Sequence, residues 1–221
     1  MKELFETAFY LLYLVIVITS GIIMVRRCHG RKQYRFFAVS AILLGTGDAF
    51  YLLPRAYALS MKNLENNTWV SGIGMLIAIL SHVAFFVMLY HVARIRYKIH
   101  EMRPLTVLVY SFAALTFVLH ALPQNHWFTN SSAGVLSIIR TIPYVAIGII
   151  DILVFAKGAK TTNDRQFKSM PLAIACNYGC YIPVVIWIRF APSLWTLMIP
   201  QACTFAWIIF LGFRAMSNEV R

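Results

Sequence analysis

The chain reads as an all-α, polytopic membrane protein, a bundle of seven transmembrane helices. Three observations predict this. Hydrophobic residues make up 60% of its 221 positions and mean hydropathy is +0.69, whereas a soluble domain runs near ~45–50% apolar. Seven apolar segments can be marked off, each close to the ~20 residues that cross ~30 Å of hydrocarbon as a helix. Basic residues recur on every second connection between them.

The segments are taken in order. The first, 5–25, follows Lys2, Glu3 and Glu6. That balance is unlike the basic start of a cleavable signal, and no small-residue cleavage site follows, so the span is expected to be retained. The second, 36–55, carries Asp48 inside AILLGTGDAFYLLPR, and the third, 68–92, carries Ser81 and His82. The fourth, 104–123, is almost wholly apolar. The fifth, 132–156, holds Arg140, Tyr144, Gly148 and Asp151. The sixth, 170–190, holds Asn177 and Tyr181, and the seventh, 194–213, holds Gln201 and Thr204. Residues 1–221 form one domain, without a low-complexity linker or an internal repeat. The missing repeat argues against a transporter of the inverted-repeat type. Pro54, Pro143, Pro183 and Pro200 fall in the spans, where proline frees a carbonyl and bends the axis.

A net charge of +12 invites a nucleic-acid partner, but its placement excludes one. Arg26, Arg27, Arg31, Lys32 and Arg35 follow the first helix, and Arg94, Arg96, Lys98 and Arg103 the third. Lys157, Lys160, Arg165 and Lys168 follow the fifth, and Arg214 and Arg221 the seventh. Fifteen of the twenty basic residues therefore lie on one side. The positive-inside rule then predicts an outer N-terminus, a cytoplasmic C-terminus, residence in the cell membrane and contact with membrane lipids. The opposite side carries a polar loop around Met61–Thr68 and the sequons at Asn66 and Asn130. Cys28, Cys176, Cys180 and Cys203 give no disulfide framework; Cys176 and Cys180 share a helical face and read as packing.

The informative residues are the acids at depth. Only Asp48 and Asp151, of eight Asp and Glu, sit within hydrocarbon-compatible sequence. A carboxylate there costs at least ~2.5 kcal/mol on insertion scales, so it faces a bundle interior. Asp48, Tyr51 and Arg55 fall on one helical stripe, and Arg140, Tyr144, Gly148 and Asp151 on another. The ~1.5 Å rise per residue puts Asp48, His82, Tyr144 and Gln201 near the midplane. It puts Arg140 about 6 Å further out and Asp151 about 10 Å nearer the cytoplasm. Two readings stand. In one, Asp48 and Arg140 form a buried ion pair that specifies the packing, with His82 and Gln201 completing its hydrogen bonds. In the other, a polar cavity opens outward with Arg55 and Arg140 as anchors for an anionic group.

The run Gly47-Asp48-Ala49-Phe50-Tyr51-Leu52-Leu53-Pro54-Arg55, after Leu43-Leu44-Gly45, resembles the box of the YhhN-type lysoplasmalogenase family. Gly72-Ile73-Gly74 leading to Leu80-Ser81-His82 is similar to that family's next helix, and Asp151 to its second intramembrane Asp. Gln201 is similar to a glutamine in its last helix. The family has two helices and a Lys-Pro element before the box, where this chain has one helix and no such element. The likeness covers about a quarter of the chain. It implies hydrolysis of the vinyl ether of a lysophospholipid, to a fatty aldehyde and a glycerophospho-alcohol. The roles it implies are Asp151 as proton donor, Asp48 as base or charge stabiliser, His82 as a further catalytic participant, and Arg55 as headgroup anchor. Arg140, Tyr144 and Gln201 would then line the substrate site. Such chemistry calls for no metal and no cofactor.

Two rivals complete the analysis. A retinal protein needs a lysine in the last helix, and residues 194–213 contain none. A small heptahelical carrier or receptor would instead use the Asp48–Arg140 region to hold an ion, a proton or a small ligand.

Overall fold

The structure is a computed structural model that describes residues 2–60, 68–99, 103–127, 134–188 and 190–220. The segment 61–67, which holds most of the predicted loop and its sequon, and the sequon at 130–132 lie outside the described residues. Seven helices long and apolar enough to cross a membrane are present among the described residues. They are α1 (Lys2–Arg27), α2 (Lys32–Ser60), α3 (Thr68–Arg96), α4 (Arg103–Ala121), α5 (Val135–Thr161), α6 (Met170–Trp187) and α7 (Met198–Glu219). A helix satisfies every backbone donor and acceptor within its own segment, which is what hydrocarbon demands. Two 3₁₀ turns, Pro123–Asn125 and Pro192–Leu197, follow α4 and precede α7.

The helices overrun the apolar segments at the end where the basic residues gather. There α1 continues to Arg27, α3 to Arg96, α5 to Thr161 and α7 to Glu219, while α2 already begins at Lys32. Hydropathy marks hydrocarbon, not helix ends. A polar last turn keeps its backbone bonds and sets cations beside the carbonyl end of the dipole. At the opposite end the seventh span starts as a 3₁₀ turn, since Pro192 fixes the backbone there. Its α-helix begins only at Met198, not at 194.

Packing follows the chain: α1 on α2, α2 on α3, α4 on α5, α5 on α6, and α6 on α7. Contacts of α1 with α7 close the ring, and α3 also meets α4 and α5. Polar groups tie the basic end. Arg96 hydrogen-bonds both carboxylate oxygens of Asp164, its Nη2 lies 2.7 Å from Glu219 Oε1, and Tyr34 donates to Glu219 at 2.5 Å. This cluster links α2, α3, the α5–α6 turn and α7. Asn163 (φ 50°) turns the chain out of α5, and Asp164 Oδ1 accepts the Gln166 amide at 3.0 Å. Both are side-chain preferences of Asn and Asp in tight turns.

The contact that places the site is α2 on α3. A Cβ on Gly47 would lie 2.0 Å from Ser81 Oγ, and one on Gly74 would lie 2.3 Å from the Phe50 carbonyl oxygen. Small residues let two membrane helices approach backbone to backbone. The close approach sets Asp48, next to Gly47, opposite His82, next to Ser81.

Candidate functional site

Asp48 is buried near the middle of α2, and its two oxygens have separate donors. Tyr13 of α1 donates to Oδ2 at 2.6 Å, and His82 Nε2 lies 2.7 Å from Oδ1. With Asp48 ionised, a carboxylate that only accepts, the imidazole Nε2 carries the hydrogen of that bond. The His82 ring packs against Phe205 of α7 at 4.7 Å between centroids. Phe205 is in turn held by Phe85 and Phe86. The imidazole is thus fixed on one side by a charge-assisted hydrogen bond and on its face by an aromatic wall. A ring nitrogen held by a carboxylate is the arrangement that orients a general acid or base.

These groups border a cavity of about 100 Å³ between α1, α2, α3, α6 and α7. Tyr10, Tyr51, Tyr181 and Gln201 supply further polar edges, and Leu52, Met75, Ile79, Met198 and Ala202 supply apolar wall. A cavity of ~150 Å³ takes a benzene molecule, so this space takes the reacting end of a chain and not a whole lipid. Toward the end away from the basic cluster, Trp195 of the second 3₁₀ turn borders the cavity and packs on Tyr51. Arg55 sits one α2 turn beyond Tyr51, with its guanidinium 5.2 Å from the Trp195 ring. It donates to Tyr10 Oη at 3.3 Å and pairs with Glu6 at 3.8 Å. Glu6 and Tyr10 come from α1, so a cation, a carboxylate and two aromatic rings share the rim.

The expected residues therefore divide. Asp48, His82 and Gln201 meet at one cavity, and Arg55 stands at its mouth. Asp151 does not border it. That residue is fully buried in α5, and neither oxygen has a hydrogen-bond partner among the described residues. Tyr144 is also buried away from the cavity wall. It packs against Phe86, Tyr178 and Tyr181, and its backbone carbonyl accepts from Tyr178 at 3.1 Å.

The expected Asp48–Arg140 pair does not form. Arg140 donates instead to Asn125 Oδ1 and lies 4.5 Å over the Trp127 ring. The reason lies at the end of α4. Asn125 spends its amide on the carbonyls of Leu119, His120 and Leu122, at 2.7, 3.2 and 2.9 Å. Its own oxygen is left facing α5, and the long Arg140 side chain reaches outward to it. The charge belongs to the α4–α5 connection, so neither the buried-pair reading nor an ion site between Asp48 and Arg140 retains its partner.

Sequence reasoning missed Tyr13, Tyr10, Glu6 and Trp195. A phenol buried in an apolar helix still needs a hydrogen-bond partner. That signal was present for Tyr13 but did not say which helix supplies the acceptor. Among the described residues no three His, Cys, Asp or Glu converge on one point.

No protein-family model, curated protein or solved structure matches this chain significantly.

Proposed function

We propose that the protein is a membrane-embedded lipid hydrolase that cleaves a vinyl ether by proton transfer, a lysoplasmalogenase-like activity. The observation that carries this reading is the His82 imidazole, oriented by Asp48 and bordering a small, largely apolar cavity. No serine or cysteine is among the described residues that line it. Ser81 is turned to the Ala78 carbonyl at 2.7 Å. An oriented imidazole without a nucleophile suits a substrate that needs only a proton to react.

In this reading, protonated His82, with Nε2 held by Asp48, delivers its Nδ1 proton to the β-carbon of the vinyl ether. The C=C electron pair forms the new C–H bond, and the ether oxygen shares the positive charge as an oxocarbenium ion. The Asp48 carboxylate stabilises the charge before and after transfer. Water then adds to the electrophilic carbon and returns a proton to the imidazole. The resulting hemiacetal splits into a fatty aldehyde and the glycerol hydroxyl. Positioned acid–base catalysis of this kind contributes roughly 10²–10⁴-fold. Arg55 at the mouth supplies the cation for a phosphate headgroup, with the basic end of the bundle in the cytoplasm.

The test is aldehyde release from lysoplasmalogen by purified protein in detergent, followed through an aldehyde-dependent NADH assay. Wild type should turn over without any ion gradient. Asp48→Asn and His82→Asn should each lose at least about 100-fold. Absence of aldehyde from folded wild type, or full activity in both variants, overturns the reading.

A further inference from the structure

A second groove opens on the other half of the bundle, at the basic end. It lies between the start of α4, the end of α5 and the turn after α3, with a volume of about 290 Å³. Its floor is aliphatic, from Leu105, Leu153 and Val154, and Leu153 is 62% exposed to the membrane side. One wall is Tyr97, which lies flat on α5 because residue 158 is glycine. A Cβ there would meet the ring at 2.2 Å. The wall is fixed: the Tyr97 and Ile99 amides bond the Ala93 and Arg94 carbonyls at 2.9 and 3.0 Å.

The rim is cationic. Lys157 lines it, Lys98 and Lys160 adjoin lining residues, and Arg103 is two positions from Leu105. All four are exposed, and none forms an ion pair among the described residues. Asp164, at the same end, is already held by Arg96 and accepts from Tyr97 at 3.4 Å. An aliphatic slot with the exposed Lys157 ammonium at its rim, unpaired among the described residues, complements an amphiphile with one negative head.

We propose that this groove is a binding site for an anionic phospholipid of the leaflet at the basic end. Its phosphate sits at Lys157, and one acyl chain lies over Leu105, Leu153 and Val154. The site stands apart from the Asp48 cavity and does not depend on the activity proposed there. A lysine near an anionic headgroup raises retention about fivefold.

The experiment is native mass spectrometry of delipidated protein offered phosphatidylglycerol and phosphatidylcholine in equal amounts. Wild type should retain phosphatidylglycerol about fivefold over phosphatidylcholine. Lys157→Ala should abolish that preference and Lys157→Arg should keep it. Leu153→Trp, which fills the slot from the lipid-facing side, should reduce retention of both lipids. Lys168→Ala, at the same end but outside the groove, should change nothing. Equal retention of the two lipids by wild type overturns the proposal. So does an undiminished preference in Lys157→Ala, or a loss in Lys168→Ala as large as in Lys157→Ala.

Discussion

Asp48 Oδ1 and His82 Nε2 stand 2.7 Å apart across the α2–α3 contact, although 34 residues separate them in the chain. Their meeting depends on how close two helix backbones come, and so on glycines rather than on the pair's own attraction.

The first prediction concerns that approach. Gly74→Ala places a methyl group against the Phe50 carbonyl, a backbone atom with no rotamer to change. The helices must separate, at a cost of about 1–3 kcal/mol of overpacking. Thermal unfolding in detergent should register the loss, and turnover should fall with it because His82 recedes from Asp48. Gly47→Ala meets Ser81 Oγ and, at 2.3 Å, the Ser81 Cβ, which no rotamer moves, so it should cost a similar amount. Equal melting of Gly74→Ala and wild type would remove the role given to the close contact.

A second prediction isolates Tyr13. Tyr13→Phe deletes one of two donors to Asp48 and changes little in volume. Hydrogen bonds to charged groups contribute about 1.5–3 kcal/mol, so a clear fall in melting temperature is expected. The Tyr13→Phe/Asp48→Asn double variant should cost less than the sum of the single changes, since both act on one bond. Strict additivity in the melting data would mean that the two side chains do not interact.

The seven spans follow from hydropathy because hydrocarbon imposes a single rule on backbone groups. Rise per residue gives depth, and Asp48, His82, Tyr144 and Gln201 share one, but Tyr144 does not border the cavity that the other three line. Depth carries no azimuth, which is why Arg140 was paired with Asp48. Its actual partner, Asn125, lies on a 3₁₀ turn that no periodicity announces. Tyr13 stayed hidden for a related reason. In a helix as apolar as α1, a tyrosine reads as bulk until the acceptor on the neighbouring helix is seen.

A third prediction addresses the basic-end cluster. Burial pushes the Asp164 carboxyl up, but the Arg96 hydrogen bonds and charge, with the Gln166 and Phe167 amides, outweigh it and hold it below its ordinary value. A carboxyl depressed in the folded state stabilises fully above its unfolded pKa of ~3.9. That contribution is lost as pH falls through the lower folded value. Melting temperature should therefore drop in acid below about pH 4, and Asp164→Asn should flatten that limb. Arg96→Leu strands Asp164 and Glu219 together and should cost about 3 kcal/mol at neutral pH. An unchanged acid limb in Asp164→Asn would assign it to other carboxylates.

The last prediction turns on Asp151, which the sequence offered as the proton donor. Its oxygens are buried without a partner among the described residues, and it does not border the cavity that holds His82. A buried polar group that makes no hydrogen bond is a cost to the fold, about 1–3 kcal/mol in mutational data. Asp151→Leu should therefore melt higher than wild type, and Asp151→Asn should melt at or near it. Both should retain turnover on lysoplasmalogen, whereas Asp48→Asn should not, since only Asp48 orients the imidazole. Assaying the three variants side by side for aldehyde release and melting temperature separates the roles. If Asp151→Asn keeps its melting temperature but loses turnover as fully as Asp48→Asn, proton transfer extends through α5 and cannot be confined to the α2–α3 pair.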